Sequence, residues 1–158
     1  MITHTLETAV HGRYLYEDRG ADRLLVGFHG YAESAEMHLD ELEKLPGISR
    51  WSVASVQALH PFYTRSGSIV ASWMTRLDRE LAIDDNLAYV RRVLESLPPA
   101  RTLVLTGFSQ GATMAARVAA SFGSAAGLIM LAGDLPPEIH ADPTLVFPPV
   151  LLARGNDD

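Results

Sequence analysis

The stretch Leu103-Val104-Leu105-Thr106-Gly107-Phe108-Ser109-Gln110-Gly111-Ala112-Thr113-Met114-Ala115 decides how the chain is read. An apolar β-type run, Thr102 to Thr106, meets an Ala-rich helical stretch, Ser109 to Phe122, across the pattern Gly-x-Ser-x-Gly. A strand-to-helix turn this tight pushes the serine hydroxyl out at the carboxyl end of a sheet, and flanking glycines remove the Cβ atoms that would clash there. The turn also aims the helix N-terminus at the hydroxyl, which puts the Gln110 N–H where an oxyanion would develop. Two glycines beside a helix-capping serine satisfy the same five letters. The strand before and the small-residue helix after favour a nucleophile at Ser109.

Working outward, Leu24 to Phe28 reads as a buried strand followed by the loop His29-Gly30-Tyr31. In a hydrolase of this design that loop supplies the second oxyanion donor, here the N–H of Tyr31. Thr5 to Tyr16 reads as one or two extended segments. Glu36 to Leu45 is helical and stops at Pro46-Gly47, and Trp51 to Leu59 is a further strand. Pro61 to Arg76 reads as a loop carrying aromatic residues. Ile83, Leu87, Val90, Leu94 and Leu97 recur at alternating steps of four and three, so Glu80 to Leu97 is an amphipathic helix. Leu128 to Leu131 and Val150 to Ala153 are the last strands, joined by the Pro-rich connection Gly133 to Pro149. This alternation predicts one α/β domain over residues 1-158, with a mostly parallel central sheet and helices on both faces.

Composition removes several function classes. The 158 residues suffice for one well-cored domain, and the net charge of −6, with Lys44 the single lysine, disfavours a nucleic-acid partner. There is no cysteine for a disulfide, a thiolate metal site or a thiol nucleophile. No histidine–carboxylate spacing suggests a metal, and Gly107 to Ala112 lacks the Lys and Ser/Thr of a phosphate loop. Arg91-Arg92 and Asp84-Asp85-Asn86 read as solvated polar groups on or near a helix face. With no signal-like N-terminus and no membrane-length apolar run, the expectation is a soluble cytoplasmic protein without a membrane span.

Taken in order, VGFHGYAES at Val26, ALHPF at Ala58, SWM at Ser72, LTGFSQGATMA at Leu105, LIMLAG at Leu128 and PVLLARGNDD at Pro149 give the chain its resemblance. It resembles the α/β-hydrolase superfamily, and within it the phospholipase/carboxylesterase group that includes acyl-protein thioesterases and bacterial carboxylesterases. The resemblance implies the α/β-hydrolase fold and a Ser nucleophile, Ser109. It also implies an acid and a later histidine, acting on a small acyl ester or thioester with no metal or cofactor. The family's Gly-x-x-Asp pattern falls on Gly155 to Asp158, making Asp158 the acid, with Asp157 and Asp134 as alternatives. Phe62, Tyr63, Trp73 and Met74 are candidates to line an acyl pocket, or equally to pack in the core or rim.

His4, His11, His29, His38, His60 and His140 all precede Asp158, and the family order assigns none of them as base. The expectation is therefore an α/β-hydrolase fold with its C-terminal part missing, truncated before the catalytic histidine. Val150 to Ala153 would then form an exposed apolar edge, which a homodimer or a completing C-terminal segment would cover. The absent base also favours a second reading, a catalytically silent hydrolase-like binding module. A peroxidase or lyase on the same fold is a third, because fold does not fix reaction.

Overall fold

The computed structural model describes residues 1–155. Six strands form the main sheet: β1 (Tyr14–Glu17), β2 (Arg23–Phe28), β3 (Ser52–Val56), β6 (Thr102–Phe108), β7 (Gly127–Leu131) and β8 (Val150–Ala153). Their order is β1-β3-β2-β6-β7-β8, with β1 antiparallel to β3 and every other pair parallel. The crossovers are α1 (Ala35–Leu42), α2 (Arg79–Ser96) and α3 (Gln110–Phe122). The predicted doubly covered, mostly parallel sheet is thus the observed one.

Side-chain alternation explains the two layers. Leu24, Val26 and Phe28 of β2 join Ala54 and Val56 of β3 in the cluster that α2 and α3 cover. Leu25 and Val53 face the other way, onto Leu42 of α1. On α2 the predicted stripe is inside: Ile83, Val90 and Leu97 are buried, and Leu87 and Leu94 are half-buried. Asn86, expected to be solvated, is instead fully buried beside that stripe.

Three stretches differ from the sequence reading. Residues 60–76 hold a β-hairpin, β4 (His60–Tyr63) with β5 (Ile69–Ser72), where a loop was expected. The β-branched Ile69-Val70 supplies a strand, and Pro61 is tolerated because β4 is the edge of this two-stranded ladder. Gly67, at φ 84°, makes the turn, and Thr64 donates its N–H to the Ser68 carbonyl across it at 2.9 Å. At the N-terminus only Tyr14–Glu17 forms a strand. Ile2, Leu6 and Val10 would share one face of a strand with the polar His4 and Thr8 between them, and all three are exposed. The Pro-rich connection contains a one-turn helix, α4 (Pro137–His140), opened by proline and anchored by buried Ile139. The outermost strand, β8, exposes Val150, Leu151 and Leu152 by 49%, 60% and 60%. No helix among the described residues is long and apolar enough to cross a membrane.

Helix α3 lies unusually near the sheet. A Cβ on Gly111 would sit 2.0 Å from the Phe28 carbonyl oxygen and 2.4 Å from that of His29. The Phe28 oxygen cannot retreat without distorting β2, and the His29 oxygen is held by the Trp73 indole N–H. Gly111→Ala is therefore expected to cost at least about 2 kcal/mol in urea unfolding, through overpacking against backbone; a variant as stable as wild type would contradict this packing.

On the opposite face, His38 of α1 is buried against β2, its ring within 2.8 Å of where a Gly27 Cβ would be. Its Nε2 and the nearby Ser55 Oγ are buried without a hydrogen-bond partner. Burial, reinforced by His29, lowers the His38 pKa from 6.5 to about 4. The unfolded chain therefore takes up this proton first as pH falls. Stability is fully present above pH 6.5 and is lost towards pH 4, by about 3 kcal/mol for this group. Denaturation midpoints from pH 7 to 4.5 should fall more steeply for wild type than for His38→Leu, and equal slopes would remove His38 as the cause.

Candidate active site

Ser109 joins β6 to α3 with φ 51° and ψ −116°, outside the regions open to ordinary L-residues. Its surroundings hold it there. The Ser109 N–H donates to the Leu131 carbonyl at 2.8 Å, and the Ala112 N–H donates to the Ser109 carbonyl at 3.0 Å. A Cβ on Gly107 would meet the Gly111 carbonyl oxygen at 2.3 Å, and one on Gly133 would meet the Ser109 carbonyl oxygen at 2.7 Å. Three glycines thus let backbone close on backbone around a single serine.

The next residue, Gln110, ties this turn to the segment Ser72–Met74. Its Oε1 accepts the Trp73 N–H at 2.9 Å and lies 3.2 Å from Ser72 Oγ, while its Nε2 donates to the Met74 carbonyl at 2.9 Å. The Gln110 N–H itself stands at the first position of α3, where a helix provides no internal acceptor.

Trp73 carries the connection to the loop after β2. It is fully buried, with its ring beside Phe28 at 5.5 Å and His29 at 5.2 Å, and its Nε1–H donates to the His29 carbonyl at 2.8 Å. Asn86 Nδ2 donates to the Trp73 carbonyl at 2.9 Å, and Asn86 Oδ1 accepts the Leu59 N–H at 3.2 Å. Of the two positions open to Trp73, pocket wall or core, it takes the core one, its indole bridging two site loops from beneath.

His29 belongs to the same scaffold. Its Nε2 accepts the Ala58 N–H at 3.0 Å, so the ring proton is on Nδ1 and is donated to the Gly30 carbonyl at 2.7 Å. Burial lowers its pKa against that bond and holds the ring neutral. The Gly30 N–H donates to Glu33 Oε2 at 2.7 Å, and the Ala32 N–H to the Ala71 carbonyl at 3.1 Å. Between these tethers the 60%-exposed Tyr31 stacks on Phe62 at 5.5 Å.

A cleft of about 410 Å³ opens beside Ser109. Ser109, Gln110 and Met74 meet there, together with residues the sequence reading did not single out: Arg79, Thr113, Arg117 and Gly133. Phe62 and Tyr63 lie apart from it on the hairpin, with Tyr63 exposed. Asp134 reaches the cleft and pairs with Arg154 at 3.1 Å. Arg117 could have been found by helix spacing, since Ser109, Thr113 and Arg117 are four apart and share a face of α3. Burial lowers its pKa, opposed by the Glu138 carboxylate, and Arg79 adds like-charge repulsion.

The proposed acid, Asp158, and its neighbour Asp157 lie outside the described residues. His4, His11, His60 and His140 are exposed, and among the described residues no histidine ring is hydrogen-bonded to Ser109.

Residues 22–133, more than half of the chain and including Ser109, match the family model of the serine hydrolases FSH1. No curated protein sequence matches significantly. Among solved structures, Zea mays acyl-protein thioesterase 2 aligns with a TM-score of 0.68 at 21% identity, over 92% of this chain and 76% of that one. The Bacillus cereus carboxylesterase gives 0.66 at 16%, over 93% and 72% of the two chains. A phospholipase/carboxylesterase from Dyadobacter fermentans gives 0.62 at 17%, over 94% and 88%. Identities this low carry the fold alone, and with the observed strand order that fold is the α/β-hydrolase one. Through the match that spans both site loops, the chain belongs to the FSH1 serine hydrolase family.

Proposed function

We propose that the chain hydrolyses carboxylic esters or thioesters, with Ser109 as nucleophile and the N–H groups of Tyr31 and Gln110 as the oxyanion hole. The observation that carries this reading is the backbone of Ser109. A non-glycine residue held at φ 51°, ψ −116° costs about 1–3 kcal/mol, and such strain persists where function needs the side chain presented. The names of the structural neighbours, thioesterase and carboxylesterases, agree with it.

The chemistry follows from that arrangement. Ser109 Oγ adds to the acyl carbonyl carbon, its proton passing to the base that Asp158 would orient, and the carbonyl oxygen becomes an oxyanion. Donors fixed by the Trp73–Gln110–His29 scaffold need no reorganisation as that charge appears. Collapse expels the alcohol or thiol, which takes the proton back, and water then releases the acid from the acyl-serine by the same steps. A small acyl ester or thioester is the proposed substrate, and the net charge of −6 argues against a nucleic acid.

Ser109→Ala should lower kcat/KM for p-nitrophenyl acetate by at least about 10³-fold while leaving the unfolding midpoint near wild type. Hydrolysis that survives the substitution would sink the assignment. A wild-type chain that hydrolyses nothing would favour the silent binding module instead.

A further inference from the structure

Arg117 is a buried charge on the wall of the reactive cleft. Its side chain is 5% exposed, and its Nε and Nη2 both donate to Glu138 Oε1, at 2.8 Å and 2.6 Å. The remaining nitrogen, Nη1, faces Met74 Sδ at 3.8 Å, and a thioether is among the weakest acceptors a protein offers. A guanidinium has five donors arranged as a planar fork, so this one presents an underused edge towards the cleft.

A second guanidinium, Arg79 at the start of α2, lines the same cleft. Its own carboxylate contact, Glu80, is 3.6 Å away and 83% exposed, a pair worth little in water. Asp134, the acidic group on the cleft wall, is engaged by Arg154. Two cations thus stand on one wall, and only Arg117 has a carboxylate in close contact, Glu138. Bringing like charges together while burying one is unfavourable unless an anion joins them. With Glu138 already engaging one of the two guanidiniums, a singly charged carboxylate is better matched to this wall than a doubly charged phosphate.

The position along α3 sets the reach. Eight residues separate Ser109 from Arg117, about 12 Å of helix rise, and helical side chains lean back towards the N-terminus. Both residues line the one cleft of about 410 Å³, so a ligand that reaches from the serine to the fork is a short carbon chain.

We infer that Arg79 and Arg117 form a carboxylate-binding subsite, so that the substrate cleaved at Ser109 carries an anionic group a few carbons from its reacting carbonyl. This rests on Ser109 being the nucleophile. A short dicarboxylic half-ester or half-thioester fits, whereas an unbroken alkyl chain leaves Arg79 with its distant, exposed Glu80 and Arg117 Nη1 with only a thioether.

Equilibrium dialysis with labelled glutarate tests the subsite without turnover. Saturable binding to the full chain is expected, weakened by about tenfold or more in Arg79→Gln and by added salt, with inorganic phosphate a poorer competitor than succinate. Arg79 is part-exposed at a helix start, so this variant is the one to use if Arg117→Gln does not fold. No saturable binding, or equal binding by Arg79→Gln, overturns the inference. In parallel, kcat/KM for p-nitrophenyl hemiglutarate should exceed that for the valerate about tenfold, with the ratio falling towards one in Arg79→Gln. Equal cleavage of the two esters by wild type removes the subsite and leaves the hydrolase reading intact. Glutarate binding that depends on Arg79, with neither ester cleaved, removes the hydrolase reading and leaves the subsite.

Discussion

The close approach of α3 to the sheet is the constraint on which the site depends. Backbone meets backbone at Gly111 against Phe28 and at Gly107 against the Gly111 carbonyl, distances no side chain could share. With the helix held there, the chain between β6 and α3 has only one residue in which to turn. That residue is Ser109, and its strained dihedrals are the consequence. The strain is sustained because β7, through the Leu131 carbonyl and Gly133, closes on the same residue from the other side.

A second layer of order grows from the first. Gln110 follows Ser109 directly, so fixing the turn also fixes an amide side chain that can take up three groups of the Ser72–Met74 segment. Trp73, anchored by that amide and by Asn86, then holds the His29 carbonyl from below. The two loops bearing Tyr31 and Gln110 are thereby joined through neutral hydrogen bonds, part-buried at Gln110 and buried at Trp73, which low dielectric strengthens. Preorganised donors of this kind are what acyl transfer requires. The cleft beside them differs in character, with the guanidinium groups of Arg79 and Arg117 on its wall.

Legibility in the sequence follows the range of the interactions. The turn at Ser109, strand β6 and the helices α2 and α3 were readable because each depends on neighbours within a few positions: flanking glycines, a steady step of three and four, a proline stop. The hairpin at 60–72 was not, since Pro61 breaks its pattern and its turn is set by hydroxyl groups and Gly67. Trp73 could be named but not placed, because an aromatic residue that walls a pocket and one that braces a core look alike in a sequence. Asn86 looked like one more polar residue beside Asp84 and Asp85, yet its backbone partners, Leu59 and Trp73, come from distant elements. Arg117 went unnoticed for a related reason: its meaning comes from Glu138, Met74 and Arg79, three elements that only the fold brings together.

The most direct test is the intact mass and peptide map of the purified chain after incubation with a fluorophosphonate, a reagent that modifies activated serines and spares ordinary ones. One adduct mapped to Ser109, and lost in Ser109→Ala, is the result expected if the strained turn presents a nucleophile. An unmodified chain, or an adduct on another residue, would contradict it.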